Sequence, residues 1–298
     1  MKHVLLIGRN GQLGKALLMQ LEARHTVTAV GRAELDLADS SAISRLISRL
    51  RPDLIVNAAA YTDVDGAEEH RDLALRVNAE APGAMARAAR HFGCGLIHFS
   101  TDFVFDGRQS RPYRESDQTN PLSHYGATKL LGEQYVQSEG GGHLVLRTSW
   151  VYGPGKASFT TKVRGWARRH EVVRIVLDQE GSPTWCNDLA RVTSEIIDQV
   201  KPRRSVYEWL EEKSGVYHAG GLGIATRYEW AKAIINLDPH PEQIVTTQIV
   251  PASTDEFPVI AQRPAFSGLD CTRLRDTFGV SLKPWSMSLR EALQGRPD

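Results

Sequence analysis

The chain has 298 residues, 41% hydrophobic and 24% charged, a composition that excludes a disordered protein and allows one large α/β domain or a domain with a smaller partner. Lys and Arg total 36 against 35 Asp and Glu, and the net charge of +1 gives no electrostatic case for nucleic acid or an acidic membrane surface. No apolar run approaches the roughly 18 residues of a membrane span. The opening MKHVLLIG lacks the long apolar run and small-residue cleavage site of a signal peptide. Cys94, Cys186 and Cys271 lie too far apart for a metal motif, so free thiols and a cytoplasmic location are expected.

In chain order, residues 3–7 (HVLLI) form an apolar run ending at Gly8 and predict a strand. Leu13, Leu17 and Leu21 recur at i, i+4, i+8 and predict a helix over 13–23. The β-branched TVTAV at 26–30 predicts a second strand. Ile43, Leu46, Ile47 and Leu50 share one face of a helix over 40–50. A third strand is expected at 53–60, an alanine-rich helix at 72–92, a fourth strand at 95–100, a helix at 122–138 and a strand at 143–149. This alternation predicts a doubly wound parallel sheet with helices on both faces, a Rossmann-type α/β fold. Past residue 150 prolines punctuate shorter elements. The expected division is a cofactor-binding domain over 1–150 and a smaller, less regular substrate-binding region over 151–298, with the chain returning to the sheet around 188–220.

Residues 8–14, GRNGQLG, follow a strand and open a helix, the context that marks a dinucleotide loop. Gly8 permits the tight turn, Gly11 lets backbone approach a pyrophosphate and Gly14 allows close helix–strand packing. The amides around Gly11, Gln12 and Leu13 would face the phosphates. At the end of the second strand a carboxylate selects NAD and an arginine suits the 2′-phosphate of NADP. Arg32 stands there, with Glu34 just after, which favours NADPH and leaves NADH open.

Tyr125 and Lys129 in YGATK are four apart and share a helix face. A tyrosine titrates near 10, and a neighbouring ammonium would lower that and make a tunable acid. Thr101, in STDFVF after the fourth strand, sits where ligands meet open α/β sheets, and its hydroxyl would polarise a reacting carbonyl. His98 and Trp209, Trp230 and Trp285 read as core. The run Arg164, Arg168, Arg169 and Arg174 reads as a solvated helix face, and Asp188 as a helix N-cap.

GRNGQLG, LDLAD, NAAAYTDVDGAE, VNAEAPGAMARAA, STDFVFDG, PLSHYGATKLLGE, RTSWVYG, DQEGSPT, YHAGG and RPAFSGLD, in this order, resemble the dTDP-4-dehydrorhamnose reductase family of extended short-chain dehydrogenases. That resemblance implies hydride transfer from NADPH or NADH to the C4 ketone of a dTDP-linked deoxysugar. It implies that Tyr125 is the proton donor, that Lys129 holds the nicotinamide ribose, and that Thr101, Asp102 and Trp150 contact the sugar. Asp36 and Leu37 resemble the pair bordering the adenine, and Ala60, Tyr61 and Thr62 the strand-end segment along the cofactor. Arg263 would meet the substrate's diphosphate. Asp63 and Gly66 replace the alanine and lysine usual in this loop. Some relatives are dimers with Mg²⁺; no carboxylate cluster here calls for a metal, so none is assigned, and both Mg²⁺ and a homodimer are left undecided. Two alternatives stay open at this stage: an epimerase or dehydratase that retains its NAD, and a non-catalytic partner resembling the regulatory subunit of methionine adenosyltransferase.

Overall fold

The computed structural model describes residues 1–154 and 158–295. β1 (His3–Ile7) leads through the glycine loop into α1 (Gln12–Glu22), β2 (Thr26–Val30), α2 (Ser40–Leu50) and β3 (Leu54–Asn57). Asp39 caps α2 by accepting from the backbone amides of Ser41 and Ala42, an arrangement worth about 1 kcal/mol. α3 (Gly66–Glu69), α4 (Arg71–Leu75) and α5 (Ala81–Phe92) follow, then β4 (Gly95–Thr101), α6 (His124–Glu139) and β5 (His143–Thr148). β3 stops at Asn57, short of the expected residue 60, because Ala58, Ala59 and Ala60 leave the sheet to line a cleft. The expected helix at 72–92 is divided: Arg76–Glu80 is a π turn between α4 and α5, next to Pro82, which has no amide proton to give.

Shorter elements come next: β6 (Val151–Tyr152), α7 (Phe159–Ala167), β7 (Val172–Val176), β8 (Glu180–Gly181), β9 (Thr184–Trp185), α8 (Cys186–Asp198) and α9 (Val206–Glu211). β10 (Gly215–His218), β11 (Ala225–Thr226), α10 (Arg227–Asn236), β12 (Gln248–Ala252), α11 (Thr272–Phe278) and α12 (Trp285–Gln294) complete the chain.

The central sheet is parallel and runs β10-β5-β4-β3-β1-β2, the Rossmann-type α/β architecture expected. β10 is the strand that returns late, pairing Gly215 with Leu144 and His218 with Arg147. β3, β4 and β5 are buried along their whole length, as strands covered on both faces must be. Leu13, Leu17 and Leu21 of α1 pack with Leu189, Val192 and Ile196 of α8 on one face. Ile43 and Ile47 of α2 pack with Met85 and Ala88 of α5 on the other. The remaining region has its own aromatic core, Tyr152 and Trp230 with Phe159 and Trp166 packed against it. The strand order reverses between β1 and β3, which places a crevice at their carboxyl ends.

Candidate functional site

A cleft of about 710 Å³ opens at that switch point. Gly8 has a φ of 97° and a side chain there would drive into Ala59 N at 2.8 Å. A Cβ on Gly14 would lie 2.0 Å from the Gly8 carbonyl oxygen. Both glycines are therefore required by the backbone itself. A Cβ on Gly11 would meet nothing closer than 3.4 Å, so the room it leaves faces the cleft. The amide of Gly11 turns back to the Gly8 carbonyl at 3.0 Å, which removes it from the set expected to face phosphates. Gly11, Gln12 and Leu13 line the cleft at the start of α1, whose N-cap makes no side-chain bond. These features fit a dinucleotide pyrophosphate.

Arg32, Asp36 and Leu37 line the outer end of the cleft. Arg32 is exposed and has no ion pair among the described residues. Glu34 is engaged elsewhere, pairing with Arg9 at 2.5 Å and accepting from the Gly31 amide at 2.8 Å. Ala60, Tyr61 and Thr62 form the inner wall. Buried Asn78, in the π turn, holds this wall by accepting from the Tyr61 amide at 2.9 Å and donating to the Tyr61 carbonyl at 3.1 Å. Asp63 and Gly66 act together: Asp63 accepts the Gly66 amide at 3.0 Å, and a Cβ on Gly66 would meet that carboxylate at 2.6 Å.

Thr101, Asp102, Tyr125, Lys129 and Trp150 meet in the same cleft. Ser123 caps α6 and sets Tyr125 in its first turn, with Lys129 one turn on. Burial pushes the Tyr125 phenol up to about 12, with the nearby Thr101 hydroxyl opposing the shift and the Asp102 carboxylate adding to it. The Lys129 ammonium does not figure among the causes of that shift. Its Nζ instead donates to the Phe99 carbonyl at 2.6 Å and lies 3.3 Å from His98 Nε2. Burial pushes Lys129 down to about 8. Asp102 is fully buried, which raises its carboxyl pKa against hydrogen bonds from Ser267, Ser149 and Thr101.

Trp150 adopts a φ of 45°, rare for a bulky residue and a mark of a site held by its surroundings. Gly181 of β8 makes that position available, since a Cβ there would meet Trp150 Cε2 at 2.5 Å. The Arg227 guanidinium lies over the indole, 3.4 Å from the ring centroid.

The sequence reading passed over Arg227. Its guanidinium makes no ion pair or hydrogen bond among the described residues, and burial lowers its pKa to about 9 against the attraction of Asp102. It begins α10 directly after Thr226, which forms a capping box with Glu229, so in sequence it looks like an ordinary first-turn residue. Arg263, by contrast, is committed: its fork grips Asp65 at 2.6 and 3.2 Å. Asp188 is not an N-cap but lies in the first turn of α8, held by Arg191 and by the Lys283 amide at 2.6 Å. Arg164 and Arg168 both bind Asp238, and Arg174 lies on β7 rather than on the helix expected there.

No group of three or more His, Cys, Asp or Glu that could hold a metal occurs among the described residues. None of the described helices is long and apolar enough to cross a membrane. Residues 1–296 match the family model described as the RmlD substrate binding domain. A dTDP-4-dehydrorhamnose reductase of Burkholderia thailandensis is 38% identical over 285 residues, 95% of each chain. A probable dTDP-4,6-dihydroxy-2-methyloxan-3-one 4-ketoreductase of Streptomyces antibioticus is 38% identical, over 97% of this chain and 93% of that one. The crystal structure of a dTDP-4-dehydrorhamnose reductase from Bacillus anthracis in complex with NADP superposes with a TM-score of 0.88 at 31% identity, over 99% of both chains.

Proposed function

The chain belongs to the RmlD substrate binding domain family, and on that footing we propose that it reduces the C4 ketone of dTDP-4-dehydro-β-L-rhamnose to dTDP-β-L-rhamnose with NADPH. One observation carries the reading: Tyr125 and Lys129 of α6 and Thr101 at the end of β4 share the cleft that the glycine loop opens. A bound reduced nicotinamide supplies the hydride that adds to C4. Tyr125 gives its phenolic proton to the carbonyl oxygen as the C–O double bond becomes single. A phenol held at about 12 stays protonated at neutral pH, as a donor must. Thr101, whose hydroxyl donates to Asp102 at 3.1 Å, turns to polarise the same oxygen. Lys129 holds the nicotinamide ribose and returns positive charge to the site once the tyrosine has lost its proton.

Asp102 and Trp150 hold the sugar, the carboxylate by accepting hydroxyl protons and the indole by apolar contact. Gly8, Gly11, Gln12, Leu13 and Gly14 seat the pyrophosphate. Ala60 to Thr62 run along the cofactor, and Asp36 and Leu37 border the adenine. Arg32 takes the 2′-phosphate, which selects NADPH over NADH. The substrate's diphosphate supplies the counter-charge that Arg227 lacks, with Arg263 beside it, held in place by Asp65. Residues 1–150 with the return through β10 hold the cofactor, and most of 151–298 holds the sugar nucleotide.

The test generates dTDP-4-dehydro-β-L-rhamnose in the tube with its upstream enzymes and follows NADPH absorbance and sugar-nucleotide product together. Equal loss and gain is the expected result. Consumption only with another dTDP-linked 4-keto sugar would replace the substrate, and binding of NADPH with no consumption at all would refute the reductase reading.

A further inference from the structure

A row of buried polar groups stands behind Lys129. Asn57 at the end of β3, His98 on β4 and Lys129 on α6 are each at most 1% exposed. The Asn57 Oδ1 accepts the Ala59 amide at 3.1 Å, which fixes the orientation of the side-chain amide. Its Nδ2 therefore faces His98 Nδ1, at 3.0 Å. An amide nitrogen only donates, so that ring nitrogen accepts. A neutral imidazole carries one proton, and the proton of His98 is thereby assigned to Nε2, the nitrogen 3.3 Å from Lys129 Nζ. An ammonium has three donors and no acceptor, so it meets this N–H donor against donor. The amine form has a lone pair that accepts it while an N–H still serves the Phe99 carbonyl.

We propose that His98, held with its proton on Nε2 by Asn57, is a positioning residue that fixes the Lys129 amine and favours its neutral form, so that Lys129 can release and regain a proton within each turnover. The proposal rests on the reading of Tyr125 and Lys129 as the acid pair. When Tyr125 has given its proton to the substrate oxygen it is a phenolate. The proton that restores it leaves the Lys129 ammonium, and Lys129 is recharged from solvent. Burial acts on Lys129 in the same direction as His98, and Glu133, one turn further along α6, opposes it. Tyr125 on α6 and Asp102 after β4 share its cleft, as do Tyr61, Asp36 and Arg32. His98 itself stays neutral, its pKa driven well below the usual value first by burial and then by Lys129, so it sets the balance without storing the proton.

The experiment is a pH titration of apo protein labelled with ¹³Cε-lysine, with Lys129→Ala to assign the resonance. Lys129 should titrate about two units below the other lysines. His98→Gln, whose side-chain carbonyl accepts from Nζ, should raise that midpoint by a unit or more, a tenfold change in acidity. The basic limb of kcat/KM should move up with it, whereas a merely structural histidine would lower the rate at all pH values and leave the limb in place. Lys129 titrating with the bulk lysines, or a midpoint unmoved by His98→Gln, overturns the proposal. Ring ¹⁵N shifts of His98 in the unmutated protein provide a check that needs no variant: protonated Nε2 and bare Nδ1 are expected, and the reverse tautomer overturns the assignment. None of the titrations needs cofactor or substrate, so they stand or fall apart from the identity of the sugar.

Discussion

At the scale of single residues, Tyr125 and Arg227 make opposite cases. Tyr125 is the proposed proton donor, whereas Asp102 in the same cleft is an acceptor for Ser149 and Thr101. Tyr125→Phe keeps the ring and its edge-on contact with Phe103 and removes only the hydroxyl. Turnover should fall by about 10²–10⁴-fold while NADPH affinity by fluorescence titration stays within about twofold; a rate near the unmutated one would remove Tyr125 from the role. In the proposed function Arg227 acts on binding instead. Arg227→Leu should raise KM for the sugar nucleotide about tenfold to a hundredfold, the range of a charge-assisted hydrogen bond, with NADPH affinity unchanged. Arg227→Lys should recover only part of the loss, because an ammonium cannot lie flat on Trp150 and present a fork as well. Equal KM values for all three proteins would show that the diphosphate goes elsewhere. Tyr125 and Lys129 were legible because their chemistry needs a fixed spacing on one helix. Arg227 was not, since its meaning comes from Trp150 and Asp102, which only the fold brings to it. Arg263 was legible as an arginine, but its partner Asp65 lies 198 residues away, a distance that no local pattern spans.

At the scale of elements, the segments RTSW and QEGS meet through the Ser182 amide donating to Ser149 Oγ at 3.3 Å and through Gly181 against the Trp150 indole. Gly181 of β8 leaves room for the indole of Trp150, whose backbone is left-handed, and Arg227, following β11, lies over the same ring. β8 and β11 pair antiparallel, Ala225 opposite Gly181, so a two-residue ladder links two neighbours of the tryptophan. Gly181→Ala puts a methyl at 2.5 Å from Cε2 and must move either the indole or β8. A displacement of about 1 Å can cost on the order of a hundredfold in rate, while overpacking costs about 1–3 kcal/mol of stability. The variant should therefore remain folded by thermal melt, bind NADPH as before, and lose kcat/KM toward the sugar nucleotide by about tenfold or more; an unaltered kcat/KM would detach Gly181 from the site. The long regular elements were readable from periodicity, and α1, α2 and α6 begin and end within about two residues of expectation. The two-residue strands were not, because two residues carry no period. The π turn at Arg76–Glu80 was hidden within a continuous alanine-rich helical pattern, although it is what aims Asn78 at Tyr61.

At the scale of the whole molecule, the sheet buries histidines as neutral groups, and this fixes how the fold responds to acid. His218 on β10 is fully buried, and burial with the nearby Arg147 charge drives its pKa down to about 3. His98 is driven well below its ordinary value, and His143 and His25 are lowered too, burial being the first cause in each. In the unfolded chain each of these takes up a proton near pH 6.5. Above that pH neither state is protonated and the full stability is present. Below it the unfolded state binds protons that the native state refuses, so stability falls with falling pH until the native pKa is reached. His218 costs about 1.4 kcal/mol per pH unit in that window, on the order of 3 kcal/mol between pH 6.5 and 4.5, a sizeable part of a typical domain's total, and His98 acts in the same direction. Asp117, drawn to about 2 by its hydrogen bonds from Arg111, adds to the loss only lower, as pH passes through the carboxylate range. Asp102 and Glu115, whose pKa values burial raises, recover a little of it. The onset of acid destabilisation should thus lie near pH 6.5, in the histidine range rather than the carboxylate range. Urea unfolding at half-unit steps from pH 7.5 to 4.5 would show it as a midpoint constant above about 6.5 and falling steadily below. A midpoint flat down to pH 5 would mean that these histidines accept protons inside the fold, and the buried neutral arrangement behind Lys129 would lose its basis with them.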